Sequence, residues 1–104
     1  MHNYKIVIEY DGTNFVGWQQ QENGQSIQSA LQEALVKLSN EKITIFGAGR
    51  TDAGVHAYGQ VASFTLNKKI ETDVIRDGLN QHLRPQPIAI QKAELVEYDF
   101  HARF

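Results

Sequence analysis

Arg50 and Asp52 stand two residues apart in the segment GAGRTDAGVHAYG, which runs from Gly47 to Gly59. A planar guanidinium can fork onto a phosphate and stack on a base. A carboxylate beside such a cation stays ionised at neutral pH, the state that a nucleophile or general base requires. The glycines around the pair let another backbone or a ligand approach closely. Familiar phosphate-binding patterns do not fit. Counted from Gly47 and Gly49, the sixth position of a G-x-G-x-x-G motif falls on Asp52, and no Gly-Lys-Ser/Thr follows. Asp52 and His56 have a spacing that would suit metal ligands on a helix, but this stretch does not read as one. His2, His56, His82 and His101 share no ligand spacing. The plainer alternative is a wide hairpin loop, with glycines at positive φ and Asp52 capping its own backbone. Against it, loops of this length in small domains are often functional.

A loop of this kind needs a scaffold, and the rest of the chain supplies one. At 104 residues, 41% hydrophobic and 21% charged, the sequence reads as a single globular domain. It contains no cysteine, so thiolate chemistry and disulfides are excluded, which fits a reducing cytoplasm. The net charge of −2 speaks mildly against a stand-alone nucleic-acid binder. No apolar run approaches the length of a membrane span. Tyr4 to Tyr10 alternates as a strand. A loop follows, opened by Asp11-Gly12. Ser26 caps a helix carrying Ile27, Ala30, Leu31, Ala34, Leu35 and Leu38 at helical spacing, closed by Ser39-Asn40. A second strand is expected over Lys42 to Phe46, and a third over Tyr58 to Leu66 with Ala62, Phe64 and Leu66 on one face. Thr72 is expected to cap a second helix reaching Leu83, which Pro85 prevents from continuing. Ile88 to Val96 reads as the fourth strand. The order β-α-β-β-α-β predicts an α+β, ferredoxin-like fold: a four-stranded antiparallel sheet with two helices on one face. RNA-recognition motifs share that plan, but their aromatic signature is missing.

GRTDAGVHA (Gly49–Ala57) resembles the active-site motif of the TruA family of tRNA pseudouridine synthases. YDGTNFVGWQQQ (Tyr10–Gln21), SIQSALQEAL, LNQHL (Leu79–Leu83) and DFHARF (Asp99–Phe104) resemble further blocks of that family, in its order and across essentially the whole chain. RPQPI (Arg84–Ile88) departs from the proline-aspartate turn of many members, at a connection rather than in the motif. The resemblance implies isomerisation of uridine to pseudouridine in the anticodon arm of tRNA. The N1–C1′ bond breaks, the base turns and C5 joins C1′, without cofactor or metal. Asp52 matches the catalytic aspartate. It would attack the ribose or base, or abstract a sugar proton. Arg50 matches the position that holds the flipped or vacated nucleotide; extrusion costs a few kcal/mol. Thr51 and His56 would bind substrate or orient the loop, and Gly47, Gly49 and Gly54 would shape it. Tyr10, Asp11 and Gln19 are weaker candidates for RNA contact. Gln20, Gln21, Lys68, Lys69 and Arg84 have ordinary surface roles as their simplest account, and Trp18 with Phe15 is expected in the core.

Family members extend well beyond this length. The family supplies an active-site tyrosine just after the block that ends at Phe104, and its second half, which resembles the first, supplies an arginine that pairs with the aspartate. The chain is therefore expected to be the N-terminal half of a catalytic region, inactive alone, from a protein that forms homodimers. An exposed strand edge and an uncovered sheet face would favour self-association. Two other classes stay open: a stand-alone RNA-binding or dimerisation module without catalysis, and a small-molecule regulatory domain.

Overall fold

The computed structural model describes residues 1–97 and 100–102. Strand β1, His2–Tyr10, lies at the centre of the sheet and places Tyr4, Ile6, Ile8 and Tyr10 inward. It pairs antiparallel with β3, Ala57–Leu66, on one side and with β4, Ile88–Val96, on the other. The short β2, Phe46–Gly47, adds to β3 and gives the order β2-β3-β1-β4. Two helices, α1 at Ile27–Ser39 and α2 at Thr72–Leu83, close the core. Ile27, Ala30, Leu31, Ala34 and Leu35 of α1 and Ile75, Leu79 and Leu83 of α2 join the inward strand residues in one buried cluster. This is the ferredoxin-like α+β arrangement. No helix among the described residues is long and apolar enough to cross a membrane.

Local chemistry fixes the ends of α1. The Ser26 side chain accepts from Ser29 N–H, and the Ser29 hydroxyl accepts from Ser26 N–H, a reciprocal cap. Asn40 ends the helix at φ 60, with its N–H on Val36 O. Buried polar atoms are also matched. Tyr4, fully buried and stacked on Phe64 at 5.5 Å, donates to Ile70 O and accepts from Ile70 N–H.

Three expectations are corrected. The second strand is not Lys42–Phe46 but only Phe46–Gly47. Ile43 and Ile45 are buried with strand-like alternation, yet the backbone of Ile45 bonds to α1: its N–H to Gln32 Oε1 and its carbonyl to Gln28 Nε2. Side-chain amides have replaced the ladder there. Thr72 is the first residue of α2 rather than its cap; Glu71 holds the cap position without a side-chain bond. The outer sheet face is partly covered as well. Ala102 N–H bonds to the Ser63 hydroxyl, His101 packs on Phe46 at 4.5 Å, and Asn3 donates to Phe100 O. Of the block Asp99–Phe104, Asp99, Arg103 and Phe104 lie outside the described residues.

Candidate active site

The loop between β2 and β3 rests on the loop that follows β1. Thr51 carbonyl accepts from Trp18 N–H at 3.0 Å, Phe15 carbonyl from Gly54 N–H at 3.3 Å, and His56 Nδ1 from Gly12 N–H at 2.9 Å. The Tyr10 hydroxyl meets Thr51 Oγ1 at 2.8 Å. Phe15 and Trp18 are buried, as the sequence predicts, and they anchor the supporting loop to the core. Gly12 is held so close that an added Cβ would lie 1.9 Å from the carbonyl oxygen of Val55. Only a glycine admits that contact.

On this base Asp52 begins a tight turn, closed by Val55 N–H on Asp52 O at 3.2 Å. Gly54 occupies its third position at φ 78, the left-handed backbone that a type II turn demands. Among the segment's glycines only Gly54 has positive φ. Gly47 lies in β2, where its Cα faces the Trp18 indole, and the Gly49 carbonyl accepts from the Gln60 amide. Arg50, Asp52 and His56 are exposed, and Thr51 is half-buried. Arg50 and Asp52 do not form an ion pair with each other. The adjacency of Arg50 and Asp52 along the chain therefore brings no contact between their charges: both side chains face solvent.

Asp11 forms the turn that its sequence suggests, accepting from the Thr13 N–H at 3.0 Å and from the Thr13 hydroxyl. The Thr13 hydroxyl and then the Thr13 N–H hold its carboxyl below the usual aspartate range, outweighing desolvation in the other direction, with His56 adding the least. Asp11 Oδ1 also lies 3.1 Å from His56 Nδ1. A single nitrogen cannot serve both neighbours: it accepts from Gly12 when unprotonated and donates to Asp11 when protonated. Gln19 is exposed beside this loop, whereas the Gln21 amide turns back onto the Val16 carbonyl.

A cavity of about 660 Å³ opens on the His56 side of the loop. Asp11, His56, Tyr58, Asn80 and Arg84 contribute to its lining, and Asp52 does not. The sequence gives Tyr58 and Asn80 no role at a site, because strand β3 and helix α2 come to border one cavity only in the folded chain. The main-chain donors of Gly12, Trp18 and Gly54 were equally invisible, since every residue type but proline carries one. Among the described residues no group of three His, Asp or Glu is placed to hold a metal ion.

Fold and site together define a ferredoxin-like α+β domain that displays a carboxylate on a docked loop. Within that class, the chain belongs to the tRNA pseudouridine synthase family, whose profile matches residues 6–104. It is 55% identical over 104 residues to tRNA pseudouridine synthase A of Afipia carboxidovorans, covering all of this chain and 42% of that protein. It is 56% identical over 104 residues to the protein of the same name from Rhodopseudomonas palustris, again all of this chain and 42% of the relative. With the Ehrlichia ruminantium protein of that name, identity is 55% over 102 residues, 97% of this chain and 42% of the relative. The chain thus spans less than half the length of these relatives.

Proposed function

We propose that the protein to which this chain belongs isomerises uridine to pseudouridine in the anticodon arm of tRNA, and that this chain is the N-terminal half of the catalytic region. The observation that carries the reading is an intact Gly49–Ala57 segment, exposed at Asp52, in a chain of this family. Asp52 is the catalytic carboxylate. Solvent exposure leaves it open to a nucleotide brought from outside, and the turn that it begins holds its main chain. Arg50, exposed two residues earlier, takes up the flipped or vacated nucleotide through stacking and phosphate contact. Breaking N1–C1′ and forming C5–C1′ leaves the oxidation state unchanged, so the reaction needs no redox cofactor. The homologous second half supplies the remaining groups, and the protein works in the cytoplasm as a homodimer.

Tritium release from C5-labelled uridine in unmodified tRNA tests this. The complete gene product should release tritium, its Asp52→Ala form should not, and the chain alone should be silent. Full activity in Asp52→Ala would remove Asp52 from the chemistry.

A further inference from the structure

Tyr10 is a sequence candidate for RNA contact, yet the residue is only 4% exposed at the end of β1. A phenol has one polar atom, and here that atom is 2.8 Å from Thr51 Oγ1. Tyr10 borders the cavity beside His56, but with so little surface exposed it offers a ligand only a small contact. What it does touch is the residue immediately before Asp52. Thr51 is therefore held twice: by its side chain to the last residue of the central strand, and by its carbonyl to Trp18 N–H. Both supports are rooted in buried residues, Tyr10 and Trp18. From Asp52 to His56 the loop is exposed at every position. Thr51 is thus the last firmly seated residue before the carboxylate. A hinge so close to the reacting group converts a small tilt at Thr51 into a larger displacement of the Asp52 oxygens.

We propose that Tyr10 is a positioning residue for the chemical step, its hydroxyl acting through Thr51 Oγ1 to fix the direction in which Asp52 is presented. The assignment rests on the synthase reading above. Tyr10→Phe keeps the ring in the core and removes one oxygen, so it isolates this contact. In the complete gene product, kcat should fall by roughly ten- to a hundredfold, as misplacement by up to about 1 Å would cause. KM for tRNA should stay essentially unchanged, because no RNA contact is lost. Thr51→Val removes the other end of the same contact and should reproduce the loss in kcat. The double variant should be no worse than either single one, since the contact can be broken only once.

An unchanged kcat in Tyr10→Phe would overturn the proposal. So would a raised KM at constant kcat, which would return Tyr10 to RNA binding, or losses that multiply in the double variant. If Tyr10→Phe fails to fold by circular dichroism, Thr51→Val decides alone, because Thr51 lies outside the core. An inactive unsubstituted protein would refute the synthase reading itself. Activity that is indifferent to Tyr10→Phe would refute only the positioning role.

Discussion

Gly12→Ala separates the placing of the catalytic loop from the stability of the fold. An alanine Cβ at this position would sit 1.9 Å from Val55 O and 2.7 Å from Val55 C. Ordinary contact begins near 3.4 Å, so the two loops must part by about 1.5 Å. The obstacle is backbone, and no rotamer change can relieve it. Overpacking of this kind costs ~1–3 kcal/mol in a closed core. Here the 52–56 loop is exposed and can swing into solvent, which keeps the steric cost at the low end. The Gly12 N–H to His56 bond is lost with it, about 1 kcal/mol. The expected loss is therefore about 2 kcal/mol of folding stability in urea unfolding, and the domain remains folded. Catalysis should suffer more, because the whole displacement falls on the segment that carries Asp52. A shift of about 1 Å near the reacting group can cost 10²-fold, so tritium release by the complete gene product should drop at least that far. Activity within a few-fold of normal in a folded Gly12→Ala protein would refute the idea that this close approach seats the loop.

Two further perturbations probe the scaffold. Ser26→Ala removes a fully buried hydroxyl that caps α1, and should cost about 1 kcal/mol in urea unfolding while leaving tritium release intact. Thr13→Val removes the leading contact that depresses the Asp11 carboxyl, so its titration followed by NMR should move upward toward the ordinary aspartate value. The sign follows from linkage. A carboxyl depressed in the folded state contributes stability above its unfolded value and loses it as pH falls through its folded one. Thr13→Val should accordingly reduce the loss of stability on acidification below the ordinary aspartate range.

Much of the fold was legible along the chain. The alternation of Tyr4, Ile6, Ile8 and Tyr10 and the helical stripe from Ile27 are periodicities that burial itself imposes, and the observed elements follow them. The fourth strand begins and ends at the residues expected, Ile88 and Val96. Strand β2 was over-read for a physical reason. Alternation reports which side chains face the core, and Ile43 and Ile45 do face it. It does not report where the backbone bonds go, and Gln28 and Gln32 of α1 took those of Ile45. Thr72 was misplaced by one residue because a threonine at a helix start serves as cap or as first helical residue with the same local pattern.

The same division holds at the site. The sequence by itself determined which groups are present: Arg50, Thr51, Asp52 and His56 in one glycine-rich segment, in a chain whose family match runs from residue 6 to 104. Only the tertiary structure decided how that segment is held. Tyr10 and Thr51 are far apart along the chain and 2.8 Å apart in space, and Gly12 meets Val55 at a distance that no side chain would allow. Residue identity is a property of each position, and a short motif can therefore be read in isolation. A seat for a loop depends on two distant backbones meeting, and that meeting is fixed only when β1 and β3 pair and the core closes beneath them.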